Sequence, residues 1–388
     1  MPARMTTAAK PRPSASKRSG VKADPAPSSP HTARLDRLLQ LIAATNADAL
    51  LVTNPQDVAY LTGFLGGDSY LLVAKPRSVI ISDFRYQQEL EPVSPIVDIF
   101  IRRQGMTQAV LEVLGSRRAT RCAFQAEHLN VAEADALSRH LGSEFLVPST
   151  GMVAQLRAKK DPSEVALIKK AIKIQQDALL AVLPTIEPGQ TELQVAARIE
   201  SEMKTRGSRE PGFQTIVAAK VNGSLPHYRP TTDKIAANKP VLIDWGAVYQ
   251  GYHGDMTRTF TLGKWPAKVA EIYQIVLDAH LNAAAALAPG KTTHEIDAIA
   301  RSYITNHGYG EYFGHGLGHG MGLNGHEDPR LNPMYASTTL HPGNVVTIEP
   351  GIYLPGIGGV RIEDDFLVTE TGAQNLCSMP KDLKWATL

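Results

Sequence analysis

Two short stretches far apart in the chain carry the same helix-opening signal. Pro188-Gly189-Gln190-Thr191 leads into ELQVAARIESEMKTRG, and Pro289-Gly290-Lys291-Thr292 leads into THEIDAIARSYITNHG. Matching residues lie 101 positions apart, and at the same offset Asp177-Ala178 matches Asp278-Ala279 in the preceding helical stretches. Each copy reads as helix, Pro-Gly turn, Thr-capped helix, then glycine and strands. A repeated unit of this kind predicts a duplicated α+β body with pseudo-twofold symmetry.

The duplicated body has a clear start. In Ala158-Lys159-Lys160-Asp161-Pro162-Ser163-Glu164, Asp161 is a good N-cap, Pro162 suits the first helical position, and Glu164 sits three residues after the cap. A long amphipathic helix should follow through EVALIKKAIKIQQDALLAVL. Upstream, order is expected from about Ala33, where Leu35, Leu38, Leu39 and Ile42 have helical spacing. The runs ALLVT, SYLLVA, SVIISD and IVDIFI read as strands, and a helix is expected near Thr107 with Val110, Leu111 and Leu114 inward. This gives a smaller α/β domain over 31–155 and a second domain over 156–388. Residues 1–30, rich in Ala, Pro, Ser and Lys, have too little apolar surface to fold and read as a disordered tail.

Three constellations in the second domain carry chemistry. In VLIDWGAVYQGYHGDMTRTF, a buried strand ends at Asp244 and strand alternation returns at Met256, Arg258 and Phe260. Pairing Asp244 opposite Asp255, with the turn centred on Tyr249-Gln250, would bring two carboxylates to cross-strand distance. Carboxylates that close repel unless a cation sits between them. Taken alone, they read equally well as ordinary turn aspartates.

In GHGLGHGMGLNGHE, three histidines stand among six glycines, which argues against a helix and for an extended segment that other groups approach closely. His315 and His319 fall on one face. His326 is at an odd offset, and a turn near Asn324-Gly325 would return it. In VVTIEPGIYLPGIGGVRIEDD, a β-branched strand ends at Glu349, and a Pro/Gly-rich loop turns back into Val360-Arg361-Ile362-Glu363, bringing the two glutamates together. Arg361 and Glu363 share a face, as do Thr347 and Glu349. Four carboxylates and one imidazole suit a pair of Mn, Co, Fe or Zn ions and exclude thiolate-rich metal chemistry. His227 and His326 are candidates to donate to a developing oxyanion.

These motifs together resemble the pita-bread metallopeptidases, in the branch holding Xaa-Pro aminopeptidase (aminopeptidase P) and Xaa-Pro dipeptidase (prolidase). The resemblance runs from about Gly151 to Met379 through IDWGAVYQGYHGDMTRTF, FGHGLGHGMGLNGHE and IEPGIYLPGIGGVRIEDD. Residues 33–150, with SDFRYQQE, are similar to the creatinase-like amino-terminal domain of that branch. The fold so implied is α+β: a duplicated pita-bread catalytic domain preceded by a smaller α/β creatinase-like domain. The resemblance implies that Asp244 binds one metal and that Asp255 and Glu363 bridge both. It makes His319 the imidazole ligand, and Glu349 a ligand that also serves as general base. By the same likeness, His227 lines the substrate site, His326 assists the carbonyl and leaving group, His315 lies near the substrate, and Arg361 stands beside the bridging glutamate. Arg330 sits where some prolidases hold the dipeptide carboxylate, which suits a guanidinium.

The implied cofactors are two divalent ions per subunit, Mn first, with Co, Zn or Fe as alternatives. The implied reaction is hydroxide attack on the bond before proline in a peptide, aminopeptidase P-like, with a dipeptidase as the alternative. A relative of the creatinase or sulfonium-lyase kind, or a non-enzymatic binding protein, would be alternatives of another class. Creatine-hydrolysing and binding relatives lose metal ligands, and all five positions are intact here. A formal net charge of +2 points away from nucleic acid and anionic membrane, and no apolar run is long enough to span a bilayer. Two isolated cysteines, Cys122 and Cys377, fit a reducing compartment, so a cytoplasmic protein is expected, and the resemblance implies a homodimer.

Overall fold

The computed structural model describes residues 29–142 and 144–388. The expected tail lies outside them up to residue 28. Its last position, Pro30, opens helix α1 (Pro30–Ala43), three residues before the predicted start, because Ser29 caps the free N–H of Thr32.

The first part of the chain forms a six-stranded mixed sheet of β1 (Ala49–Val52), β2 (Tyr70–Ala74), β3 (Val79–Ser82), β4 (Asp98–Ile101), β5 (Cys122–Gln125) and β6 (Leu146–Ser149), in the order β4-β3-β2-β1-β5-β6. The four predicted strands are β1 to β4. Helices α2 (Pro55–Thr62), α3 (Gln87–Leu90), α4 (Met106–Arg117) and α5 (Val131–Leu141) connect them, and α6 (Met152–Arg157) leaves the sheet. Both faces are covered, one by the main apolar core through Leu50 and Val73, the other by a smaller cluster around Leu51, Val113 and Leu137.

Helix α7 (Pro162–Val182) begins where the Asp161-Pro162-Glu164 signal places it, with Asp161 and Glu164 forming a reciprocal capping box. The two repeat copies form α8 (Glu192–Thr205) and α10 (Thr293–Asn306), capped by Thr191 and Thr292, and α9 (Ala267–Ala286) precedes the second copy as α7 precedes the first. The likeness extends to the turns. Gly189 N–H donates to Ile235 O at 2.8 Å, and Gly290 N–H to Leu340 O at 2.9 Å. Thr191 bridges Lys234 as Thr292 bridges Thr339. Left-handed φ angles at Gly189 (96°) and Gly290 (84°) make glycine the natural residue at both turns.

The strands between form two antiparallel sheets. One is β11 (Met256–Thr261), β8 (Pro240–Trp245) and β7 (Ile216–Ala219), in that order. The other runs β13 (Glu327–Leu331), β12 (Gly318–Gly320), β14 (Val345–Ile348), β17 (Asp364–Val368), β18 (Ala373–Asn375). Two short hairpins, β9–β10 (Val248–Tyr249, Tyr252–His253) and β15–β16 (Gly351–Leu354, Gly358–Arg361), complete the set. The fold matches the α+β expectation of a duplicated body behind a smaller α/β unit.

Buried ion pairs join the two parts. Arg157 donates to Asp57 of α2 and to Glu327 of β13, both at 2.7 Å, with all three side chains under 8% exposed. Arg34 of α1 reaches Asp161 at the cap of α7, also at 2.7 Å.

Candidate metal centre

The hairpin carrying the two aspartates has a different register from the one expected. Asp244 stands opposite Thr257, not Asp255, and Trp245 opposite Met256. The turn is Gln250-Gly251, one residue later, because both residues take left-handed φ (48° and 84°), as a tight two-residue hairpin turn requires. Asp255 therefore lies just before β11, diagonal to Asp244 on the same face rather than directly across. Its backbone N–H donates to Asp365 Oδ2 at 3.1 Å.

Glu349 and Glu363 come together as expected, each at a junction between strand pairs. Glu349 follows β14 and its N–H donates to Leu317 O at 2.8 Å; Glu363 precedes β17 and its N–H donates to Thr257 O at 3.1 Å. Thr257 Oγ1 in turn donates to Glu363 Oε2 at 2.6 Å, so the residue across from Asp244 orients the second glutamate.

His319 occupies the middle of β12. The Gly-rich stretch is needed there because the strand is squeezed: a Cβ at Gly318 would stand 2.1 Å from Thr347 O, and one at Gly320 2.2 Å from Asp328 O. His319 Nδ1 lies 3.1 Å from Gly320 O. A proton on Nδ1 would make that hydrogen bond and leave Nε2 free to bind a cation. Nε2 faces Glu349 Oε1 at 3.3 Å and Asp255 Oδ2 at 3.8 Å. The turn after β12 returns His326 as expected, its ring stacked on His319 with centroids 3.7 Å apart.

Asp255, His319 and Glu363 each present a donor atom within 4.8 Å of the others. Asp244 stands at the edge of this trio in the same cleft. Its Oδ2 accepts from Arg361 Nη2 at 2.5 Å, while its Oδ1 is buried without a hydrogen-bond partner among the described residues. A buried, unpaired carboxylate oxygen is costly unless something positive completes it.

The electrostatics point the same way. Burial, reinforced by neighbouring carboxylates, pushes Asp255 and Glu363 well above the ordinary range, and burial also raises Asp244 despite the Arg361 guanidinium. Burial would raise Glu349 too, but the hydrogen bond and charge of His319 bring it down to about 2. A cluster that resists holding its charges unaided, made of acceptor oxygens and one imidazole, fits divalent cations.

The cleft above has a volume of about 430 Å³. His227, His315, His326, Arg330 and Arg361 all line it, so every site residue read from the sequence faces one cavity. His315 Nε2 accepts from Tyr353 Oη at 2.8 Å, and that hydroxyl accepts from Arg361 Nη1 at 2.8 Å. Arg330 Nη2 reaches the His326 carbonyl at 3.3 Å. Burial and the neighbouring His319 lower His326 to about 4, leaving a neutral ring with one N–H to donate at neutral pH.

Four supporting residues went unread in the sequence: Thr257, Tyr353, Asp365 and Asp297, the last accepting from Leu317 N–H at 3.0 Å. For Asp365, the doubled Glu363-Asp364-Asp365 run was the available signal. Behind the centre, buried Arg258 places all five N–H donors: on Thr257 O, Glu363 O, Asp364 Oδ1, Met379 O and Pro380 O.

The family model described as Metallopeptidase family M24 matches residues 166–370, and that of the Creatinase/Prolidase N-terminal domain matches 34–159. The chain belongs to metallopeptidase family M24. It is 34% identical over 354 residues to the Xaa-Pro dipeptidase of Pyrococcus horikoshii, covering 90% of this chain and 98% of that one. Among solved structures it is similar to the Xaa-Pro dipeptidase from Bacillus anthracis (TM-score 0.87, 36% identity, 91% and 99% coverage). It is also similar to the X-Pro aminopeptidase from Thermotoga maritima (TM-score 0.83, 32% identity, 90% and 98% coverage). As an M24 member, the protein is a metallopeptidase, as the sequence resemblance implied. Among the described residues, no helix is long and apolar enough to cross a membrane.

Proposed function

We propose that this M24 enzyme is an Xaa-Pro peptidase that works with two divalent ions, manganese first, held by Asp244, Asp255, His319, Glu349 and Glu363. The observation that carries the reading is the trio Asp255, His319 and Glu363 within 4.8 Å, flanked by the unpaired oxygen of Asp244. Bound cations supply Lewis acidity and make a nucleophile of water at neutral pH. Glu349, 17% exposed to the cleft and an acceptor at neutral pH, takes the proton released by the attacking water. The neutral His326 ring and His227 donate to the carbonyl oxygen as charge develops there. Arg361 holds Asp244 from one side and, through Tyr353, His315 from the other.

Aminopeptidase action on longer peptides is the first reading of substrate length. A dipeptidase reading is favoured by one observation: Arg330, 27% exposed, faces the cleft where it can pair with the free carboxylate of a short substrate. The same proposal takes in a catalytic domain from 156 to 388 behind an amino-terminal domain from 31 to 155, a homodimer, and a cytoplasmic location without nucleic acid or membrane partners.

Metal-stripped protein refilled with Mn, Co or Zn should hydrolyse Xaa-Pro or Xaa-Pro-Yaa peptides. No cleavage of either with any metal would overturn the reading. Cleavage of the dipeptide alone, lost on Arg330→Ala, would decide for the dipeptidase.

A further inference from the structure

Glu192, the first residue of α8, is fully buried, and the described residues give it no cationic partner. Its carboxylate instead accepts five hydrogen bonds. Oε1 accepts from Ala219 N–H at 2.8 Å and Asn222 Nδ2 at 2.9 Å. Oε2 accepts from Tyr228 Oη at 2.9 Å and from the N–H and Oγ1 of Thr231, both at 3.0 Å. None of these donors belongs to the helix. All lie in the segment 219–231, which carries His227 into the cleft.

The segment is pinned on both sides of His227. Before it, Pro226 O accepts from Arg361 Nη1 at 3.4 Å. After it, Tyr228 sends its hydroxyl away to Glu192 while packing beside Ile216, Leu242 and Tyr353. His227 itself is exposed to the cleft and has no hydrogen-bond partner among the described residues, so its placement comes from these anchors.

The second repeat copy offers an internal comparison. The position 101 residues on is Thr293, whose hydroxyl accepts a single bond, from Thr338 N–H at 3.1 Å. Backbone bonds, among them Thr293 N–H to Thr338 O at 2.9 Å and Leu340 N–H to Lys291 O at 2.8 Å, dock that segment, and the side chain adds only this one. The additional acceptor capacity of Glu192 is spent on the loop that bears His227.

We propose that Glu192 is a positioning residue for the peptidase reaction, fixing the His227 wall of the cleft through Tyr228, Asn222 and Thr231. This rests on the Xaa-Pro peptidase reading for its activity assay, but not for its structural readout. Glu192→Gln turns one acceptor oxygen into an NH2 group aimed at donors, while Tyr228→Phe removes one hydroxyl and keeps the ring.

In the metal-loaded full chain, amide exchange over 219–233 should speed up in Glu192→Gln, with 315–331 and the bound Mn content unchanged. Activity on an Xaa-Pro peptide should fall between about 10- and 100-fold. In a His227→Ala background the same change should cost less than about twofold, since the residue it positions is gone. An undiminished loss in that background, faster exchange throughout the protein, or loss of Mn would overturn the proposal. Tyr228→Phe should give a smaller version of the pattern, and it decides the question if Glu192→Gln does not fold. A wild-type protein that cleaves no proline peptide would refute the peptidase reading and leave the exchange measurement to judge Glu192.

Discussion

Replacing Arg258 tests how the floor of the candidate metal centre is held. The side chain is wholly buried, and each of its five N–H groups has an acceptor. Arg258→Met removes all five bonds and the cation opposite Asp364, which stands 2.6 Å away and is itself fully buried. Breaking a buried pair from one side costs about 3–5 kcal/mol, because the remaining charge has lost its partner. Lys381 and Asn375 also reach Asp364, which keeps the estimate from rising further. At roughly 2–4 °C per kcal/mol for a unit of this size, the melting point should fall by about 6–20 °C. Arg258→Lys keeps the charge but offers three donors for five acceptors, so its loss should be about half as large. Calorimetry of the apo-proteins reads the effect without interference from metal. An Arg258→Met variant that melts within about 2 °C of the parent would refute the reasoning.

Further outcomes are expected. His280 is fully buried; burial holds it down at about 3 against an ordinary 6.5, so the folded state stays neutral while the unfolded chain takes up a proton. Stability should therefore drop as pH falls from about 6.5 towards 3, by up to about 1.4 kcal/mol per pH unit from this group. His280→Phe should flatten that part of the melting-point profile, and an unchanged slope would count against it. Adding Mn to metal-stripped protein at about 100 times its Kd should stabilise the fold by about 2.7 kcal/mol. The corresponding Asp255→Asn protein should show a much smaller rise in thermal scans. Gly318→Ala should destabilise by about 1–3 kcal/mol, since the new methyl meets Thr347 O at 2.1 Å. Denaturant midpoints equal to the parent's would show that β12 yields more easily than this.

What was legible in the sequence was local or repeated. The Asp161 cap, the Pro-Gly turns before Thr191 and Thr292, and the return of His326 after Asn324-Gly325 each depend on residues within one turn of each other. The register between Asp244 and Asp255 was misread because Gln250 adopts a left-handed conformation that its side chain does not advertise. Thr257, Tyr353 and Glu192 were invisible for a different reason. They are common residue types, and Thr257 meets Glu363 from 106 positions away, a pairing that only the folded sheets define. The gathering of these acids and His319 in one cleft was readable because few other uses explain acids and a histidine at the ends of apolar strands.

The Arg157 bridge changes what the boundary near residue 160 means. In sequence it is a seam between two parts. In energy it is closer to a keystone, since cutting there would leave Arg157 with Asp57 and take it from Glu327, which is buried on the other side. Glu327 is also the neighbour of His326, whose ring lies on His319 of the proposed ligand set. Loosening the amino-terminal part would therefore be felt at the wall of the candidate site, which that part helps to hold in place.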